Sequence, residues 1–198
     1  MRKTFLLLAT FLIAFPSFSM AQRIEGIEIF GGYSYMRTDL SSPFFYTTAP
    51  TPGVSNGKFT MNGWQASMTE KATDWLGLTQ EFGGNYGNKN VLGYDNHFST
   101  FYILSGPRFY YPGLKGVTPF VHALFGYEQT EATIKGTTAK ATSSSYAMAF
   151  GGGLDVKVSR SIAIRLFQAD YYRPQAFGYS QNDLRISTGI VFRFGGQR

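Results

Sequence analysis

Residues able to do chemistry are few in this 198-residue chain: two histidines, His97 and His122, no cysteine, and 12 acidic against 18 basic side chains. Without cysteine there is no disulfide framework, no thiolate metal site and no cysteine nucleophile. A histidine can act as general base for a serine, provided the two lie within hydrogen-bond reach and a third group orients the ring. Serines are available to His122, but no spacing in the chain implies such a triad, so a hydrogen-bonded interior histidine is expected and catalysis is not. No carboxylate and histidine cluster has metal-ligand spacing, and no P-loop is present. Gly151-Gly152-Gly153 lies mid-strand, where it relieves crowding or bends the strand rather than cradling phosphate. No cofactor and no metal are expected.

The charged side chains carry a clearer message. Glu28, Glu81, Arg108, Asp155, Lys157, Asp170, Arg185 and Arg193 are assigned to the less apolar face of segments that alternate with period two. Charges enclosed by such a sheet must be paired and hydrogen-bonded, or each costs several kcal/mol. Mixed signs in comparable numbers predict a salt-bridged polar plug; the functional alternative is an ion path or gate through it. No ladder of one sign appears, as an anion-selective pore would show.

Those side chains have to be positioned by strands. The composition is 43% hydrophobic, 17% aromatic and only 15% charged, with 23 Gly, 19 Phe and 13 Tyr, which argues against disorder and against a coiled coil. Mean hydropathy is −0.12, too low for a helical membrane bundle. Arg2 and Lys3, the apolar run Phe5 to Phe15, and Ser19-Met20-Ala21 before Gln22 form a cleavable signal peptide over 1–21, cut between Ala21 and Gln22. Its apolar run is too short to span a bilayer as a helix, and its loss lowers the formal charge from +6 to +4 with Arg2 and Lys3. That mild, dispersed balance offers nothing to nucleic acid.

In the mature part, 22–198, eight alternating segments of roughly ten residues read as strands. They are Ile27 to Met36, Thr60 to Thr69, Trp75 to Tyr86, Phe98 to Tyr110, Val117 to Glu128, Tyr146 to Val158, Ile162 to Tyr172 and Asn182 to Phe194. The fourth is apolar on both faces, and its parity is open: if Arg108 points inward, Phe101, Ile103, Pro107 and Phe109 point outward. In the seventh, Arg165 has the opposite parity to Gln168 and Asp170. Either a bulge lies between Leu166 and Phe167, or Arg165 snorkels at a membrane edge.

The connections alternate long and short: Leu40 to Lys58, Glu70 to Asp74, Gly87 to Asn96, Tyr111 to Gly116, Gln129 to Ser145, Ser159 to Ser161 and Arg173 to Gln181. All short ones fall at one end of an up-and-down meander, as in a transmembrane barrel with short periplasmic turns and longer external loops. Closure is required there, because an unpaired edge in lipid leaves backbone groups unsatisfied. Tyr33, Tyr35, Trp64, Trp75, Tyr86, Tyr102, Phe109, Tyr127, Phe192 and Phe194 suit aromatic girdles at headgroup level. A soluble lipocalin-like barrel is the alternative fold; it would place its large apolar residues inward.

The last strand, Ser187-Thr188-Gly189-Ile190-Val191-Phe192-Arg193-Phe194, resembles the assembly signal read by the barrel-insertion machinery of bacterial outer membranes, carried here by Gly189, Phe192 and Phe194. With Ile29 to Tyr35, Gly106 to Phe109, Pro119 to Gly126 and Gly151 to Asp155, it makes the chain similar to the OmpA/OmpX-type eight-stranded outer-membrane β-barrels. The usual terminal aromatic is followed here by Gly195-Gly196-Gln197-Arg198, and no peptidoglycan-binding domain is read after it.

The resemblance implies an all-β antiparallel barrel in the outer membrane of a Gram-negative-type bacterium. The implied partners are outer-membrane lipid and, during assembly, the insertion machinery and periplasmic chaperones. The implied role is structural or adhesive, with a narrow porin-like channel or a lipid-modifying enzyme as alternatives, and the protein is expected as a monomer. A surface ligand would dock on the external loops, above all Arg37 to Phe59 with Phe44, Phe45 and Tyr46.

Overall fold

In a computed structural model of the chain, the described residues are 26–39, 58–91, 94–136, 140–174 and 182–195. They form eight strands: β1 (Gly26–Asp39), β2 (Lys58–Lys71), β3 (Leu76–Val91), β4 (Tyr94–Tyr110), β5 (Val117–Ile134), β6 (Lys140–Lys157), β7 (Ile162–Pro174) and β8 (Asp183–Phe194). Each pairs antiparallel with its sequence neighbours and β8 pairs back onto β1, which closes the barrel. At the seam Gly32 faces Gly189, and a Cβ on Gly189 would stand 2.5 Å from the Cα of Gly32, so the closure needs the missing side chain. The signal segment and the connection 40–57 with Phe44, Phe45 and Tyr46 lie outside the described residues.

Two of the expected long loops are strand. The β3–β4 ladder continues to Val91 opposite Tyr94, and β5–β6 to Thr133 opposite Lys140. Gly87 to Asn96 and Gln129 to Ser145 are therefore mostly paired backbone rather than open loops. Their composition misled because a strand above the apolar band meets water on its outer face, and nothing there selects apolar residues in alternation. The turns at the opposite end are short as expected. Thr73 Oγ1 accepts from the N–H groups of Trp75 and Leu76, and Ser159 Oγ does the same for Ser161 and Ile162.

Around the waist the alternation places large apolar side chains outside. Ile29, Leu78, Phe82, Phe101, Ile103, Val121, Phe125, Phe150, Ile164, Ile186, Ile190 and Phe192 are all exposed. A continuous apolar exterior of this kind is a lipid-facing surface and not that of a soluble barrel. Arg108 is fully buried, which settles the parity of β4: Phe101, Ile103 and Phe109 point outward. β7 resolves as the bulge. Leu154 faces Phe167 while Asp155 faces Arg165, and on the other side Arg165 faces Gly189 while Gln168 faces Ser187. Leu166 and Phe167 thus both point outward, and Arg165 turns into the lumen instead of snorkelling.

Candidate functional site

The lumen is filled by side chains in two layers. Toward the short turns lies a charged network in which Arg165 and Arg185 are fully buried. Arg185 donates to Asp170 Oδ2 from Nε at 3.1 Å and from Nη2 at 2.6 Å, and Nη2 also bonds Glu81 Oε1. Glu81 Oε2 accepts from Gln65 at 2.6 Å and from Gln168 at 3.2 Å, and the same Gln168 amide donates to Asp170 at 2.8 Å. Arg165 grips Asp155 with two bonds, 2.8 and 3.1 Å, and its third arm reaches Gln168 Oε1 at 2.7 Å. Glu28 accepts from Arg193 at 3.0 Å and from Tyr110 at 2.8 Å. Arg193 Nη2 stands 3.8 Å from Asp155, so one chain of charges runs across the lumen.

Aromatic rings seat the guanidinium groups. Arg165 lies 4.2 Å from the Phe30 ring centre and 4.4 Å from that of Phe120. Arg108 shares Phe120 at 4.5 Å and donates to Thr69 at 3.3 Å. Arg185 sits between Tyr102 and Tyr172 at 4.7 and 5.1 Å. Stacking of this kind suits arginine, whose delocalised charge is weakly hydrated and therefore less costly to enclose.

His122 faces Asp170 across β6, with Nε2 and Oδ1 3.0 Å apart. The strand between them contributes Gly151, and a Cβ there would lie 2.2 Å from Asp170 Oδ1. The glycine run therefore makes room for a contact between strands that are not neighbours. Among the described residues no serine hydroxyl bonds the imidazole and no group of three metal-ligating side chains is brought together, so the arrangement is a close histidine–carboxylate contact.

The second layer, toward the long hairpins, is apolar. Met36, Met61, Phe98, Tyr102, Leu104, Leu124, Ala147, Ala149 and Tyr172 pack into one buried cluster. Above it Glu128 accepts from Tyr172 at 2.6 Å and from Thr130 at 2.9 Å.

Of the expected network, Glu28, Glu81, Arg108, Asp155, Asp170, Arg185 and Arg193 all stand in the charged layer. Lys157 is corrected: it is the last residue of β6 and exposed, because parity identifies a face but not where the lumen ends. Sequence reasoning missed Arg165, Gln65 and Gln168 as members. The broken parity of β7 was the available signal for Arg165, whereas nothing marked the glutamines. Tyr102 is corrected too, since it is buried in the lumen and cannot belong to a girdle. Tyr33, Trp64, Trp75 and Tyr127 are exposed on the outer wall, Tyr35 is half-buried, and Phe192 and Phe194 are exposed with Gly189 between β7 and β1.

Beyond the cluster, β3 to β6 continue past their outer neighbours. The β2–β3 ladder stops at Asn62 and Tyr86 and the β6–β7 ladder at Ala147 and Pro174, while the β3–β4, β4–β5 and β5–β6 ladders go on. The result is a four-stranded projection with a polar outer face of Asn88, Asp95, His97, Gln129, Thr142 and Ser144. His97 Nδ1 lies 2.8 Å from Asn88 Oδ1, and Lys140 pairs with Glu131 at 2.6 Å.

No protein-family model matches the chain, and no curated protein matches it in sequence. Solved structures do match in fold. Ail, the attachment invasion locus protein of Yersinia pestis, superposes with a TM-score of 0.56 at 18% identity over 85% of this chain and 98% of its own. Ail has also been solved in complex with the heparin analogue sucrose octasulfate, in a structure that superposes at 0.57. Neisserial surface protein A superposes at 0.62 with 12% identity, over 85% of this chain and 97% of its own. With its closed antiparallel eight-strand sheet, the chain has the fold of the OmpA/OmpX-like outer-membrane β-barrels.

Proposed function

We propose that the chain is an outer-membrane barrel without a through-pore, whose role is to hold a rigid surface projection for envelope integrity or for binding. The observation that supports this best is the doubly filled lumen: a charge-paired layer and an apolar cluster in series. An eight-stranded barrel has room for side chains or for a pore but scarcely for both. The polar projection of β3 to β6 gives the external end a scaffolded binding surface. Ail, similar in fold, carries a sulfated saccharide in one of its structures.

On this reading Tyr33, Tyr35, Trp64, Trp75 and Tyr127 sit at headgroup height, and Gly189, Phe192 and Phe194 present the last strand to the insertion machinery. Residues 1–21 are removed on export between Ala21 and Gln22. No catalysis and no cofactor enter. The test is reconstitution of the mature protein in a planar lipid bilayer, with folding checked by the shift in gel migration between boiled and unboiled samples. The proposal expects a shifted, folded protein with no discrete conductance. Stable single-channel steps from the folded form would replace it with a channel, and recovery without detergent would remove the membrane reading itself.

A further inference from the structure

On the outer wall at the hairpin end, the stretch from β7 through β8 and β1 to β2 has a donor pattern that nothing above uses. Arg37 (β1) and Arg173 (β7) are exposed and outward, and among the described residues neither has an ion-pair partner. Two exposed asparagines stand beside them. Asn182 precedes β8 and continues the register opposite Arg173, and Asn62 on β2 lies diagonal to Arg37. Each asparagine has its side-chain carbonyl engaged by a tyrosine hydroxyl from nearer the waist, Asn182 by Tyr171 and Asn62 by Tyr33.

That engagement orients the amides. With both carbonyl oxygens taken, the groups left to the surroundings are the two NH2 groups and the two guanidinium groups, which are donors only. The two arginines are separated by β8 alone and staggered by two residues along it, about 12 Å apart at the usual strand spacing and rise, within convergent reach of their long side chains. Directly below the donors the wall is apolar or aromatic: Leu184, Ile186, Tyr171 and Tyr33 are exposed. The strip thus sits where a bilayer places its headgroups.

We propose that Arg37, Asn182 and Arg173, with Asn62 at one flank, bind the phosphate of a membrane lipid whose acyl chains lie along Leu184 and Ile186. This rests on the transmembrane reading above. It adds to that reading a specific lipid contact, on the β7–β8–β1–β2 side of the barrel. A phosphomonoester with two negative charges fits a donor-only strip better than a zwitterionic headgroup does.

Trp64 is exposed and faces Tyr33 across β1 and β2, so it reports lipid beside the strip, whereas Trp75 lies at the opposite end and can be replaced by Phe. The mature Trp75→Phe protein is folded into phosphatidylcholine vesicles doped with phosphatidic acid, either lipid carrying brominated chains. Trp64 quenching is then compared. The expectation is preferential quenching by brominated phosphatidic acid, with about fivefold of the preference lost for each of Arg37→Gln and Arg173→Gln. Lys115→Gln, at the short-turn end, leaves it unchanged. Equal quenching by the two lipids overturns the proposal, as does a preference that survives the double arginine variant. Abolition by millimolar inorganic phosphate would assign the strip to a soluble anion and also overturn it. No quenching by either lipid means that the barrel is not in the bilayer, a failure of the underlying reading and not of the strip alone.

Discussion

Toward the short turns the lumen is held by Arg165, Arg185, Asp155, Asp170 and Glu81, while nearer the long hairpins it is held by Met36, Leu104, Leu124 and Tyr172. The two layers fill similar space under opposite rules. In the charged layer Arg165, Arg185 and the carboxylates they hold are tolerable only because of named partners, since a carboxylate or guanidinium taken out of water needs its counter-charge and its hydrogen bonds. In the apolar layer any side chain of the right volume serves, and the loss from a change scales with the cavity left behind. Partner specificity is therefore concentrated near the turns and volume filling near the hairpins.

The largest expected effect breaks the charged layer at its centre. Arg185→Met leaves Glu81 and Asp170 facing each other without their shared cation, and unfolding in urea from lipid vesicles should cost about 3–5 kcal/mol. Adding Glu81→Gln and Asp170→Asn to that variant should restore most of the loss, because no buried charge is then unbalanced. In the apolar layer Leu124→Ala should cost about 3 kcal/mol by cavity formation, with no partner change able to restore it. The contrast fails if the triple variant stays as unstable as Arg185→Met, or if a charge change elsewhere rescues Leu124→Ala.

The same contrast explains what could be read from residues alone. Glu28, Asp155, Asp170 and Arg185 were legible because charge is rare on these strands, and period-two parity assigns each one a face. The apolar layer was not legible as a layer: Met36 and Leu104 share their parity with Glu28 and Arg108, and a lumen that turns from polar to apolar along one strand leaves no break in alternation. Lys157 shows the complementary limit, since the face is right and the height is wrong. Arg165 required the bulge to be placed before its direction followed. The hairpin projection was hidden because polar strands above a membrane have the composition of loops.

Gly151 tests whether the charged layer depends on backbone as well as on charge. A methyl group there meets Asp170 Oδ1 at 2.2 Å and the carbonyl oxygen of Ala169 at 2.3 Å, so Gly151→Ala must displace β7 or separate Asp170 from His122. Overpacking of this size costs about 1–3 kcal/mol, less than the loss of Arg185. A control of equal chemistry is available in the next residue: Gly152 faces the outer wall opposite Val121, although its Cβ would also crowd the Phe120 carbonyl at 2.4 Å. If the lumen contact is what matters, Gly151→Ala but not Gly152→Ala shifts the side-chain NMR signals of His122.

The smallest effect is expected outside both layers. Lys140 and Glu131 form a well-placed pair at 2.6 Å on the projection, yet their side chains are 53% and 31% exposed. Water and salt screen such a pair, and holding two long side chains in one geometry offsets much of the attraction. Lys140→Ala should therefore change the unfolding free energy by no more than about 0.5 kcal/mol, and less still at high ionic strength. The pair resembles Arg165 and Asp155 in chemistry and distance and differs from them in burial. A loss at Lys140 comparable to that at Arg185 would mean that enclosure is not what gives the lumen charges their weight, and the distinction between the projection and the plug would have to rest on geometry alone.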